Sequence, residues 1–206
     1  VPILTTRNLV VFPGVVSPIL VGREASVKLV KYLDKHPETI FGIFCQRDSN
    51  VDTPIFKDLY TTGVYAKVVK VIEMPGPGKN LTAIVQGLGR CQLESITKMK
   101  PFYAGIVSPS EEHLPAETSE EFSTVCETVK KSAKDYISLN EDMPDEAQFA
   151  LSSIQNKVVT VNYVCSTLPF SIKDKIKLLE IDDTEKRAYS LLKILDRETQ
   201  LLKLKQ

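Results

Sequence analysis

Residues 63–73 read GVYAKVVKVIE, a run rich in β-branched side chains that predicts a long β-strand. Residues 75–80, PGPGKN, are turn formers, and a second apolar run follows over residues 81–88. Two such runs joined by a six-residue turn predict a β-hairpin. Gly87 and Gly89 lie in and just after the second run, where glycine indicates a bulge or a sharp bend. The hairpin therefore makes the first half of the chain a β structure.

Shorter apolar runs lie on both sides of this hairpin. They predict further strands over residues 1–4, 9–12, 15–21, 39–45, 91–98 and 102–107. Pro18 makes its run an edge strand or a bulged strand, because proline cannot donate a hydrogen bond to a neighbouring strand. Residues 24–34 repeat apolar side chains at helical spacing. Several short strands with one early helix predict a small, partly closed barrel.

The composition changes after Ser108. Residues 109–115 are polar and have proline at both ends, which is typical of a linker. From residue 118 onward, apolar residues recur at helical spacing in five successive segments separated by capping residues and prolines. We therefore predict an α+β protein with three parts. They are a β-rich subdomain over residues 1–108, a linker over 109–117 and a helical bundle over 118–206 with a long final helix.

The final helix carries Leu191, Leu195 and Leu202 on one face. Its apolar pattern continues almost to Gln206 without a glycine or proline stop signal. This pattern favours a helix that contacts another domain or another copy within a longer parent protein. The chain starts at Val1 and not at Met, so we expect that it has been processed or excised from that parent. The alternative is an ordinary bundle helix that ends there.

Charge and cysteine usage limit the class of function. Lys and Arg number 26, as do Asp and Glu, so the net charge is zero, whereas nucleic-acid binders usually carry a basic excess. The four cysteines stand singly, which indicates reduced thiols in a cytoplasmic protein. The sequence has no apolar run of about 18 residues, so it predicts no membrane-spanning helix.

The sequence offers no motif for catalysis. His36 and His113, the two histidines, lie beside helix or linker boundaries among polar residues. Residues 76–79, GPGK, lack the spacing and the following helix that a phosphate-binding loop needs. We therefore predict no catalytic residue, no metal ligand and no cofactor site.

Apolar residues at turns are the remaining candidates for function. Phe12 and Val15 flank the Pro13-Gly14 turn, and Met74 and Pro75 lie at the tip of the hairpin. Exposed apolar residues mark interaction sites, and the flexible Met side chain suits variable partners. We predict substrate contacts at these four residues. For Phe12 and Val15, the alternative is that both cap the core of the barrel.

An ordered series of short motifs resembles the N-terminal domain of bacterial Lon ATP-dependent proteases. The motifs are RNLVVFPGVV at 7–16, DLYTTGVYA at 58–66, VQGLGR at 85–90, LPF at 168–170 and KDK at 173–175. Each motif is weak alone, but together they extend over about 200 residues of this chain. Thr5-Thr6 departs from the family, which usually has an aliphatic residue and proline there.

The resemblance implies a PUA-like pseudo-barrel followed by a helical bundle. It also implies that the Ser-Lys catalytic dyad and the ATPase P-loop, with its ATP and Mg²⁺, belong to later domains. In that family the N-terminal domain recruits unfolded or damaged proteins and supports a homo-hexamer. Two alternatives remain: a purely structural oligomerisation module, and an RNA-binding PUA-like domain, which the neutral charge disfavours.

Overall fold

The computed structural model describes residues 1–73, 75, 76 and 80–205. The chain forms two compact units, Val1–Glu111 and Glu112–Gln206, called unit 1 and unit 2 below. Unit 1 holds a mixed sheet and one α-helix, and unit 2 holds helices, so the predicted α+β class is confirmed. The boundary between the units falls inside the segment 109–117.

Unit 1 is built on a single sheet with a helix and a short 3₁₀ turn, Phe56–Asp58. Its elements are β1 (Ile3–Thr6), β2 (Val16–Val21), α1 (Glu24–Lys35), β3 (Phe41–Cys45), β4 (Thr62–Glu73), β5 (Leu81–Lys98) and β6 (Ala104–Pro109). The strand order is β1-β3-β4-β5-β2, and β6 also pairs with β5. All pairs are antiparallel except β1 with β3.

The predicted hairpin is the antiparallel pair of β4 and β5. The two strands predicted over residues 81–88 and 91–98 are one bent strand. Val64 lies opposite Arg90, but Ala66 lies opposite Gly87, so β5 contains an extra residue at the predicted bend. An added Cβ at Gly87 would overlap the carbonyl oxygen of Phe12, which requires glycine there. Because of the bend, the first part of β5 pairs with β2 and its last part pairs with β6.

The barrel closes where the start of the chain meets β6. The Ile3 N–H donates to the Tyr103 carbonyl oxygen at 2.9 Å, and the Gly105 N–H donates to the Val1 carbonyl oxygen at 2.9 Å. β1 therefore has neighbours on both sides, whereas β2 pairs with β5 alone. The prediction from Pro18 of an edge strand is confirmed.

The strand predicted over residues 9–12 is wrong. Val10, Val11 and Phe12 are buried, but this segment is extended chain without a strand partner among the described residues. A short buried apolar run has the same sequence pattern whether or not it joins a sheet, so periodicity alone does not separate the two. The segment ends at the turn of Pro13 and Gly14, where Gly14 adopts a φ of 78°.

Unit 2 is a helical bundle. Its helices are α2 (Glu120–Leu139), α3 (Glu146–Ser153), α4 (Lys157–Thr167), α5 (Ile172–Glu180) and α6 (Thr184–Leu204). The side chains of Ser119, Asn156, Ser171 and Asp183 each accept a hydrogen bond from a backbone N–H of the first helical turn. The sequence predicts caps at Thr118 or Ser119, at Ser171 and at Asp182 or Asp183, and the structure has them at Ser119, Ser171 and Asp183. Valines of α2 and leucines of α6 form buried layers of the core.

A buried arginine ties the start of unit 2 to its bundle. Arg187 of α6 is 0% exposed, and its Nη2 donates to Glu112 Oε1 at 2.9 Å. Its Nη1 donates to Asn162 Oδ1 at 2.9 Å, and its Nε donates to the Leu178 carbonyl oxygen at 3.0 Å. A further bond from Nη2 reaches the Ile181 carbonyl oxygen at 2.5 Å. A buried guanidinium needs such partners, because its desolvation is costly.

Candidate interaction surface

The turn residues Phe12 and Val15 are core residues, and the expectation that they are exposed is wrong. Phe12 is 0% exposed and Val15 is buried as well. The Val15 N–H donates to the Phe12 carbonyl oxygen at 3.3 Å across the Pro13-Gly14 turn. This turn directs both flanking side chains into the barrel, which is the alternative considered from the sequence. Neither residue is therefore available as a surface contact.

At the hairpin tip, Met74 lies outside the described residues. Pro75 is exposed, and so is Ile72 at the end of β4. Ile72 and Pro75 are therefore exposed apolar residues near the tip of the hairpin.

The expected contact face of α6 is largely internal. Leu191 and Leu195 are buried in the bundle of unit 2, so they do not form an oligomer or interdomain contact. The reason is that α2 packs along α6 and covers this stripe. Leu202 is half-buried, and its neighbours Leu201 and Leu204 are exposed.

β2 presents an apolar outer side that the sequence analysis did not single out. Its residues alternate, with Ser17, Ile19 and Val21 buried, and with Val16, Pro18 and Leu20 exposed. Leu20 is 76% exposed and Val16 is 54% exposed. Alternation is the strand signature, but here both sides are apolar, so the sequence does not reveal which side faces water.

The apolar side of β2 continues across β5 and β4. Leu20 lies opposite Thr82, which lies opposite Ile72. In the next row Pro18 lies opposite Ile84. Side chains directly opposite each other on one side of a sheet are close enough to touch. The rows therefore join into a continuous surface.

We define the outer face as the exposed side of this part of the sheet. Its residues are Val16, Pro18, Leu20, Thr82, Ile84, Gln86, Ile72, Lys70 and Lys67. Val69 adjoins it, because the register shift between Val68 and Lys70 leaves Val69 as an exposed bulge residue. The two lysines are exposed, and the face contains no carboxylate. The outer face is thus apolar with a positive rim.

All four cysteines are buried thiols outside any disulfide, and burial raises the pKa of Cys91 to about 12 and that of Cys126 to about 11. His113 Nε2 lies 3.8 Å from Asp182 Oδ2 at the surface of unit 2. In the described part of the chain, no three His, Cys, Asp or Glu residues cluster as metal ligands, and no helix is long and apolar enough to cross a membrane.

A small split barrel with an exposed apolar sheet face is typical of a protein-interaction module. Comparison with known families makes the class specific. Residues 1–197 match the family described as the ATP-dependent protease La (LON) substrate-binding domain. The chain belongs to this family, as the sequence motifs predicted.

Relatives and solved structures agree with this assignment. A Lon protease of Parabacteroides distasonis is 38% identical over 205 residues, which is 100% of this chain and 24% of that protein. A Lon protease of Porphyromonas gingivalis is also 38% identical, over 99% of this chain and 24% of that protein. The chain therefore spans about a quarter of the length of the curated relatives it matches.

Two solved structures confirm the fold. The N-terminal domain of a Mycobacterium avium complex Lon protease superposes with a TM-score of 0.65 at 20% identity, covering 95% of this chain and 97% of that one. A Lon N-terminal domain protein from Xanthomonas campestris gives a TM-score of 0.61 at 16% identity, covering 93% and 95%. The predicted fold class, a PUA-like barrel followed by a helical bundle, agrees with both.

Proposed function

We propose that this chain recruits unfolded or damaged proteins for an ATP-dependent protease of the Lon type, and that the outer face makes the contact. The observation that carries the proposal is the continuous apolar surface across β2, β5 and β4, with Leu20 as its most exposed large side chain. Folded proteins hide their apolar segments, and unfolded ones expose them. An exposed apolar surface therefore distinguishes the two states of a substrate.

The catalytic steps belong to the rest of the parent protein in this proposal. ATP and Mg²⁺ act in its ATPase domain, the Ser-Lys dyad acts in its protease domain, and this chain needs no cofactor. The parent works in the cytoplasm, where the four single cysteines stay reduced. Several copies held in a ring, such as a homo-hexamer, would raise the effective concentration of weak sites and so the avidity for a long unfolded chain.

The test compares two apolar-to-acidic substitutions. Full burial of a leucine side chain contributes roughly 1.5–3 kcal/mol, so Leu20→Asp should weaken binding of an S-alkylated, unfolded globular protein about 10- to 100-fold. Phe149→Asp is the matched control, because Phe149 is 77% exposed but lies in unit 2. Both variants should keep the melting temperature of the parent chain. Fluorescence anisotropy measures the affinities, and equal losses in the two variants, or none for Leu20→Asp, contradict the proposal.

A structural contribution to assembly is the second candidate, favoured by the end of α6. Leu204 is 81% exposed and Leu201 is exposed beside it, so these residues replace Leu191 and Leu195 as candidates for contact with another copy. Sedimentation velocity of the chain and of its Leu201→Glu, Leu204→Glu variant tests this role. Self-association that persists in the variant argues against it. RNA binding, the remaining alternative, predicts a salt-dependent mobility shift.

A further inference from the structure

β2 has an open edge next to the outer face. The Val15 carbonyl oxygen accepts from the Gly87 N–H at 3.0 Å, so position 15 faces β5. Backbone groups alternate along a strand, so those of residues 17, 19 and 21 also face β5. Those of Val16, Pro18 and Leu20 then point away from the sheet. Pro18 fits this phase, because its nitrogen has no hydrogen to donate to β5.

A groove runs along this open edge. It has a volume of about 430 Å³ and is lined by the second half of β2 from Pro18 onward, by Gly22, Arg23 and Ser26, and by residues 5–9. The segment of β6 and Tyr103 pairs with β1 only near its start, and the ends of β1 and β2 both line this groove. An edge strand beside an open groove is the arrangement in which another extended segment can pair.

Two arginines line the groove, and Asp52 outside its lining pairs with one of them. Its lining includes Arg7 and Arg23 and no carboxylate. Arg23 donates to the Thr5 carbonyl oxygen at 3.1 Å and to Gln46 Oε1 at 2.5 Å, and Arg7 forms an ion pair with Asp52, whose Oδ1 lies 3.0 Å away and outside the groove lining. Burial, and then the charge of Arg7, lower the pKa of Arg23, while the negative charge of Asp52 raises it and so offsets part of the repulsion between the two cations. An added negative charge would relieve this repulsion.

We infer that the open edge of β2 binds an extended, apolar segment of an unfolded protein as an added β-strand, with an acidic side chain directed into the groove toward Arg7 and Arg23. The inference rests on the proposed function and names the binding mode and the preferred segment. In an added strand, alternate side chains face opposite sides. One set would continue the outer face beside Val16 and Leu20, and the other set would enter the groove.

The strand itself limits the length of the segment. The carbonyl groups of Val16, Pro18 and Leu20 and the N–H groups of Val16 and Leu20 are available for pairing, while Pro18 offers no donor. Five residues of strand extend over about 16 Å. Segments of roughly five or six residues should therefore reach full affinity, and longer segments should gain little more at one site.

The test measures binding of the capped peptide Thr-Val-Asp-Val-Thr-Val, and of three kinds of altered peptide, to the whole 206-residue chain. Each altered form changes one element of the inferred contact. The first kind is a pair of peptides, one N-methylated at the odd-numbered residues and one at the even-numbered residues. Each of them lacks the hydrogen-bond donors along one edge of the peptide strand. The second carries Lys in place of Asp, and the third replaces the valines by Ser. Calorimetry gives the dissociation constants.

If the peptide binds as an added strand, one of the two N-methylated peptides should bind at least 10-fold more weakly than the unmodified peptide. The other should bind about as well, because its methyl groups lie on the edge that faces away from β2. The Asp-to-Lys peptide should also bind about 10-fold more weakly, and Arg7→Gln in the chain should reduce that preference. Equal binding of the two N-methylated peptides would overturn the inference. If Leu20→Asp still weakens binding of the unfolded protein by the expected factor in that case, recruitment by the outer face stands and only the binding mode is lost. A chain dimer that Leu20→Asp dissociates would assign the edge to a second copy and also overturn the inference.

Discussion

Arg187 is a severe test of how unit 2 is held together. Replacing it by Ala removes hydrogen bonds to Glu112, to Asn162 and to the carbonyl groups of Leu178 and Ile181 at a site that is 0% exposed. Removal of one partner from a buried ion pair costs about 3–5 kcal/mol. For a unit of this size each kcal/mol lowers the melting temperature by about 4–8 °C. We therefore expect Arg187→Ala to lower the melting temperature of unit 2 by at least 12 °C, using the low end of each range.

Urea unfolding followed by circular dichroism at 222 nm measures the loss of free energy of unfolding, and a thermal scan at the same wavelength measures the melting temperature. Both report on unit 2, because most of the described helix belongs to it. The matched control is Arg197→Ala in the same helix. Arg197 pairs with Asp174 and Glu198, but its side chain is 51% exposed, and exposed pairs contribute about 0–1 kcal/mol. A double-mutant cycle with Glu112→Gln isolates the ion pair. If Arg187→Ala costs no more than Arg197→Ala, the network does not stabilise the bundle and the reasoning fails.

Two further predictions concern unit 1 and the buried thiols. Gly87→Ala should destabilise unit 1 by about 1–3 kcal/mol, because its Cβ would overlap the Phe12 carbonyl oxygen. Gly89→Ala, where the added Cβ meets nothing within 4 Å, should change the free energy of unfolding by less than about 1 kcal/mol, and hydrogen exchange of the β4 and β5 amides measures both changes within unit 1. Burial raises the pKa of Cys91 and Cys165 from 9.0 to about 12, so the unfolded state loses thiol protons that the folded state keeps. The free energy of unfolding should therefore fall as the pH rises from 9.0 toward 12. Iodoacetamide should label the cysteines only after unfolding in urea, and rapid labelling of the folded chain at neutral pH would contradict their burial.

Local signals in the sequence predicted much of the fold. The caps Ser119, Ser171 and Asp183 mark helix starts because their side chains satisfy free amides within the next few residues. Pro18 identifies an edge because the loss of one donor is a property of the residue itself. The bend near Gly87 also follows from one residue type.

Features that depend on distant partners were not predictable in the same way. Arg187 reads as a surface residue of an amphipathic helix until Glu112, 75 positions away, is brought beside it. Phe12 and Val15 looked exposed because they flank a turn, but the burial of a turn depends on what lies beneath it. The outer face was missed because β2 is apolar on both sides, so its orientation depends on which side the rest of the barrel covers.

The candidate site and the fold share one cause in the bend of β5. Because the strand turns near Gly87, its first part leaves the closed barrel and pairs with β2, while its last part pairs with β6. The bend therefore produces both the apolar outer face and the unpaired edge beside it. Pro18 then restricts that edge, since it removes a donor and so weakens pairing between two copies of β2. A foreign segment can donate to the carbonyl groups of Val16, Pro18 and Leu20 with all of its own N–H groups, whereas a second copy of β2 would bring a second proline that lacks a donor. The missing donor therefore favours a foreign extended chain over a second copy.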